Sequence, residues 1–299
     1  MERDGIVQLG YVMVFRERVR SYASLVKVSH SVFAMPFALT MLVVVSKFTP
    51  VSWAQVGLLI LCVVFARTAA MAFNRFIDAE IDARNPRTAS REIPRGIISR
   101  REGLLLTLVS SVAFLAATYG LGTHCLVLAP AVLAVLLGYS LMKRFTAACH
   151  FVLGLALACA PGGVWYALTA TWAWQPLVLM AAVLFWVAGF DILYACQDLE
   201  FDRENNLYSI PARLGRKGAK GLAALLHTLS VGSLIWFGSL FALGFWYWIG
   251  VAVFGLFLAS QHSTVQRHGF GAIDQVFLTR NGVASVVLFM FVALDVLCR

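Results

Sequence analysis

An apolar run from Val56 to Phe73 ends in the polar stretch Asn74-Arg75-Phe76-Ile77-Asp78-Ala79-Glu80-Ile81-Asp82. Asn74, Asp78 and Asp82 follow one another at intervals of four residues. At ~100° per residue they fall within roughly 80° of one another on a helix. An amide and two carboxylates therefore share one face at the end of a membrane-length helix. Ionisable groups are costly in lipid, and a cluster of them at that depth marks a functional site.

The device recurs. Asp191, Tyr194, Asp198 and Asp202 are spaced for one helical face and close a second apolar run, Leu177 to Gly189. Asp198 follows Asp78 by 120 residues, and Asp202 follows Asp82 by the same interval. Each set precedes a basic segment containing Ile-Pro, at Ile93-Pro94 and at Ile210-Pro211. This is a weak internal repeat that points two acidic helix ends at one site.

A chain of 299 residues that is 60% hydrophobic and 13% charged is an all-α integral membrane protein. Nine spans are expected, at about 25–46, 54–75, 102–119, 125–142, 147–169, 176–196, 221–242, 245–263 and 280–297, within one polytopic domain over 1–299. Residues 1–24 read as a mixed-charge surface segment. The first 30 residues lack the short apolar core of a cleavable signal, so the first helix is the expected targeting signal. Apart from Lys47, Arg67 and Arg299, all 24 Lys and Arg fall in the N-terminal region or the loops after the even-numbered spans. The positive-inside rule then makes that side, with the N-terminus and both acidic stretches, cytoplasmic, and the C-terminus external, in a plasma (inner) membrane. The net charge of +9 is thus a topology signal and not a nucleic-acid surface. The six cysteines form no CxxC pair and read as small core residues. Trp246-Tyr247-Trp248 reads as an interfacial aromatic belt.

Four carboxylates, Asp78, Asp82, Asp198 and Asp202, repel one another unless a cation intervenes. Mg²⁺ takes carboxylate oxygens and keeps places for water and phosphate. Arg84, Arg87, Arg91, Lys143 and Arg144 in the adjacent loops suit a polyanion such as diphosphate. A metal–diphosphate site at the mouth of an apolar cavity implies a substrate with a charged head and a greasy tail. Arg67 lies seven residues before Asn74, about two turns deeper on its face. It is either paired inside the bundle or set to bind the carboxylate of an acidic acceptor. Asp191 lies seven residues before Asp198, about 10 Å deeper. It is either a partner for Arg67 or the group that orients an acceptor hydroxyl, hydrogen-bonded by Tyr194, and takes a proton. His30 reads as a satisfied helix polar group. Two other classes use intramembrane charge. A CDP-alcohol phosphotransferase carries a DGxxAR-type run, which is absent here, and a transporter places its breaks at mid-bilayer, whereas these acidic sets lie at helix ends.

The residues resemble the UbiA family of intramembrane aromatic prenyltransferases. The likeness rests on Asn74-x3-Asp78-x3-Asp82, Asp191-x2-Tyr194-x3-Asp198-x3-Asp202, Tyr139-x3-Lys143-Arg144, the loop Asn85-Pro86-Arg87-Thr88-Ala89-Ser90-Arg91, and His30 to Pro36. It implies nine helices around a central cavity. It implies transfer of a polyprenyl group from its diphosphate to an aromatic acid such as 4-hydroxybenzoate in quinone synthesis, or to a hydroxynaphthoate-type acceptor for menaquinone. The implied metal is Mg²⁺, held by Asp78, Asp82, Asp198 and Asp202. Asn74, Tyr194 and Asp191 then fall in catalytic positions, and Arg67, Arg84, Arg91, Tyr139, Lys143 and Arg144 in substrate-binding ones. Polyprenyl diphosphate, the aromatic acid and the lipid bilayer are the implied partners, with no nucleic acid and no evident protein partner. Arg75 and Glu92 stand where many members carry Asp and Pro, as in the 4-hydroxybenzoate polyprenyltransferase-like subgroup.

Overall fold

Serine caps mark where three of the longer helices begin. The computed structural model describes residues 16–26, 33–270, 273 and 275–298, with backbone alone for 275–279. A short helix α1 (16–25) precedes α2 (Met35–Val45), whose first turn carries Pro36. In α3 (Trp53–Ile77), Ser52 and Gln55 form a reciprocal capping box. A six-residue helix α4 (Ala79–Arg84) follows directly. Ser99 and Glu102 cap α5 (Arg100–Leu121) in the same way, and Gly122, at φ 138°, makes the turn into α6 (Thr123–Met142). Next come α7 (Cys149–Thr169), α8 (Gln175–Ala195) and the six-residue α9 (Leu199–Glu204). Ser209 caps α10 (Ile210–Leu240), and α11 (Phe245–His268) and α12 (Gln275–Leu297) complete the order.

Among the described residues, eight helices are long and apolar enough to cross a membrane, and α2 is a shorter apolar helix. The expected nine spans correspond to these eight and α2. The first is shorter than expected at 11 residues, and Lys27 and His30 lie outside the described residues. The expected basic loop over 203–220 is mostly helix. It contains the end of α9 and the first turns of α10, which bends at Gly215, where φ is 68°.

The core is built around α8, packed between α7 and α10. Gly154 lets α7 approach closely, since a Cβ there would lie 2.5 Å from the Leu184 carbonyl oxygen. Trp186 sits among Phe37, Phe190 and Phe254 at centroid distances of 5.2, 5.2 and 5.9 Å. Its indole N–H donates to Asn281 Oδ1, which also accepts from Gln261 Nε2, so one buried amide ties α8, α11 and α12 together. Tyr247 is fully buried, and its hydroxyl donates to the Leu234 carbonyl. It is therefore a core residue and not part of an interfacial belt, although Trp246 and Trp248 on either side are partly exposed. On the basic side, the exposed α1 anchors Leu25 against Ile93 and Ile98.

Candidate active site

Both acidic stretches are helices broken at the middle aspartate. Asp78 ends α3 at φ −92°, ψ 5°, and Asp198 precedes α9 at φ −96°, ψ 9°. The chain then resumes as a single helical turn or two, with Asp82 N donating to Asp78 O and Asp202 N to Asp198 O, each at 2.7 Å. The expected unbroken faces are therefore kinked. A kink at each middle carboxylate takes it off a regular helical surface, and both are met by side chains from elsewhere in the chain, Arg144 and Arg87.

Every one of the four carboxylates meets a cation. Arg144 Nη2 donates to Asp78 Oδ1 at 3.0 Å and to the Ile77 carbonyl at 2.7 Å. Asn74 Nδ2 donates to the other Asp78 oxygen at 2.9 Å. Arg91 Nη1 donates to both oxygens of Asp82 at 2.7 Å. Arg87 crosses from the loop after α4 to grip Asp198, with Nε on Oδ1 at 2.8 Å and Nη2 on Oδ2. Its Nη1 donates to the Tyr194 hydroxyl at 2.8 Å, and its guanidinium lies 5.0 Å from the Tyr194 ring centre. Asn85 Nδ2 also donates to Asp198. Lys143 Nζ stands 3.9 Å from Asp202 Oδ1.

These pairings set the charges. Burial pushes the Asp198 carboxyl up, but the Arg87 guanidinium outweighs it and holds the group below the usual carboxylate range. Burial raises Asp78, and Arg144 and Lys143 only partly offset it. Burial likewise raises Asp202, whose nearest cation is the more distant Lys143.

The deeper residues part from expectation in one respect. Asp191 pairs with His150 and Tyr194 with Arg87. Asp191 Oδ2 lies 2.6 Å from His150 Nδ1, on the first turn of α7. Tyr194 instead seats Arg87, because the kink after Ala195 brings the loop of the first half over its hydroxyl. Arg67 and Tyr139 line an apolar cavity of about 400 Å³ between α3, α5, α6, α7 and α8. It extends past Phe114 and Cys125 to Tyr166 and Trp172, at the opposite ends of the helices. Arg84 is exposed and stands apart from the carboxylates. Its Nε donates to the Glu80 carbonyl at 3.3 Å, and it lines a separate surface pocket with Arg100 and Arg144.

Mg²⁺ fits this donor set. All candidate ligands are hard oxygens, and Asp202 Oδ1 is buried with no hydrogen-bond partner. Among the described residues, no three His, Cys, Asp or Glu side chains are grouped to hold one ion. Mg²⁺ sites commonly use one or two carboxylates and complete the shell with water and substrate phosphate.

His150 was not assigned from sequence, and the partner of Arg87 was not legible there. Arg87 reads as one loop cation among several, and only its crossing to Asp198 singles it out. His150 is an ionisable residue at the edge of an apolar helix, which is itself a functional signal.

Kinked acidic ends under a basic rim, above an apolar cavity, define a multi-pass membrane protein built to hold an anionic head and an apolar tail. The sequence matches the UbiA prenyltransferase family over residues 34–292, and the chain belongs to that family. It is 29% identical over 284 residues to a 4-hydroxybenzoate octaprenyltransferase of Vibrio vulnificus (strain CMCP6), covering 93% of this chain and 98% of that one. It is 30% identical over 246 residues to the protein of the same name from Aliivibrio fischeri (strain ATCC 700601 / ES114), covering 82% and 85%. The fold is similar to the apo structure of a UbiA homolog from Aeropyrum pernix K1, with TM-score 0.82, 31% identity, and coverage of 89% and 98%. It is also similar to a UbiA homolog from Archaeoglobus fulgidus bound to GPP and Mg²⁺, with TM-score 0.67, 18% identity, and coverage of 92% and 99%. The chain is thus a membrane prenyltransferase.

Proposed function

We propose that this enzyme transfers a polyprenyl group from an allylic polyprenyl diphosphate to an aromatic acid of the 4-hydroxybenzoate type, in quinone biosynthesis. The observation that carries the reading is the pair of matched acidic kinks, each met by cations, at the ends of α3 and α8, two helices that also line a cavity whose polar lining includes Arg67 and Tyr139. The names of the relatives support the acceptor, and the GPP and Mg²⁺ bound by the A. fulgidus homolog support the donor and the metal.

Asp78, Asp82, Asp198 and Asp202 would hold Mg²⁺, which when bound supplies positive charge against the departing diphosphate. Arg87, Arg91, Lys143 and Arg144, now on those carboxylates, are within reach to share their donors with phosphate oxygens. Asn74 holds Asp78, and Tyr194 and Asn85 hold the Arg87–Asp198 pair. The bond between the allylic carbon and oxygen breaks, and its electron pair leaves with the diphosphate. The ring carbon beside the hydroxyl bonds to the allylic carbon, and the ring proton is lost to a base. Asp191 receives the acceptor hydroxyl and takes that proton. Arg67 binds the acceptor carboxylate, Tyr139 shares its wall of the cavity, and the apolar lining excludes water from the cation.

Membranes carrying the protein, given radiolabelled geranyl diphosphate and a panel of aromatic acids, should form a prenylated hydroxybenzoate with Mg²⁺ and none without divalent metal. Failure to prenylate any aromatic acid would sink the reading. We place the basic side in the cytoplasm of a plasma-membrane protein. A cysteine at Asn85 should then be labelled only from inside and one at Thr171 only from outside, and the reverse pattern overturns the orientation.

A further inference from the structure

The His150 ring is held at both nitrogens. The backbone N–H of Ile210, the first residue of α10, donates to Nε2 at 3.2 Å. A ring nitrogen that accepts carries no hydrogen, so the hydrogen of this imidazole sits on Nδ1. That atom faces Asp191 Oδ2 at 2.6 Å. The ring itself is 97% buried. His150 therefore presents its Nδ1–H to Asp191.

The backbone that holds the ring belongs to the other half of the site. Leu207 N donates to Asp202 O at 2.8 Å and Tyr208 N to Lys143 O at 2.7 Å. Ser209 caps α10, accepting from Ala212 N, and the next residue is Ile210. One strap of four residues thus fastens the Asp202 and Lys143 backbone and the His150 ring. The position of Asp191 relative to the diphosphate side is fixed through that ring.

We propose that His150 is a positioning residue for the acceptor: clamped by the Ile210 N–H, it holds Asp191 Oδ2 and leaves Oδ1 to the acceptor's hydroxyl. The proposal rests on the prenyl-transfer reading and on Asp191 acting in it. Because Nε2 is occupied, His150 orients Asp191 and does not pass its proton onward. Positioning of this kind acts on turnover of the acceptor and leaves donor binding alone.

The test uses the full-length protein in membranes with geranyl diphosphate and 4-hydroxybenzoate, at matched protein level. His150→Phe removes both bonds. It should cut kcat by about 10²-fold and leave the KM for geranyl diphosphate within about twofold of wild type. His150→Asn puts an amide N–H near the place of Nδ1, and should recover turnover to within about tenfold of wild type. His150→Phe combined with Asp191→Asn should be no slower than Asp191→Asn alone, because the two side chains act as a unit. Wild-type kcat in His150→Phe overturns the proposal. So does an additive double variant, or an Asn variant as slow as the Phe variant. Where His150→Phe fails to accumulate, the Asn variant decides, and turnover at the level of Asp191→Asn overturns the proposal. Wild-type turnover in Asp191→Asn would instead remove the role of Asp191 itself, which separates failure of the reading from failure of the positioning.

Discussion

The two acidic kinks share a backbone and differ in how their charges are met. Asp78 and Asp198 adopt nearly the same dihedral angles, and each starts a six-residue helix displaced by 120 positions, Ala79–Arg84 and Leu199–Glu204. In the first half, Asp78 has both Asn74 and Arg144, and Asp82 receives both its bonds from Arg91. In the second, Asp198 takes its cation and its amide from the loop of the first half, Arg87 and Asn85. Asp202 has the longer Lys143 contact and a hydrogen bond with the Ser209 side chain. The deep positions also diverge, since Arg67 belongs to the first half and the His150–Asp191 pair to the second. A repeated local motif thus supplies two matching turns, while unequal loops give their carboxylates different partners.

The largest effect tests whether both kinks are needed. Asp78→Ala and Asp198→Ala should each lower turnover by at least about 10³-fold, equivalent to about 4 kcal/mol of lost transition-state stabilisation, with the protein still inserted at normal level. Near-normal turnover in either one at saturating prenyl diphosphate breaks the equivalence of the halves.

Arg67→Met probes the deep asymmetry. The KM for 4-hydroxybenzoate should rise about tenfold, as for loss of a charge-assisted hydrogen bond, with the KM for prenyl diphosphate little changed. Equal changes in both would assign Arg67 to the packing of the bundle. Protein level must be compared alongside, because removing a buried charge also leaves its surroundings unpaired.

The smallest effect concerns stability. Asp198 is held below its usual range, so its ionised form adds stability above the unfolded value near pH 4, and this is lost as pH falls through the lower folded value. Asp202 is raised by burial, so its ionised form costs stability as pH rises from the unfolded value through the folded one. Asp198→Asn should therefore lower the Tm at pH 7, by the equivalent of about 2–3 kcal/mol, since it strands Arg87. Asp202→Asn should raise the Tm at pH 7 by a few degrees, with the gain disappearing near pH 4. Thermal unfolding of the detergent-solubilised variants at both pH values checks this, and a shift of the same sign in both variants would refute the contrast.

What was legible in the chain was what repeats locally. The apolar runs mark the spans because lipid demands about 20 apolar residues in a helix. The 120-residue interval marks the two turns because the same short-range hydrogen bond, residue 82 to 78 and 202 to 198, is encoded within each. Lys143 and Arg144 read as anion-binding because they sit in a tight turn beside those ends, where the structure keeps them. The tertiary structure alone decided which charge meets which. Arg87 and Asp198 are 111 positions apart, and His150 and Asp191 are 41 apart. Periodicity says nothing about pairs at such separations. The kink at Asp78 turns a face that looked continuous, and the burial of Tyr247 depends on a groove against α10 that no local pattern signals. Local backbone geometry is set by neighbours four residues away, whereas the partner of a buried charge is set by whichever packed element excludes water from both.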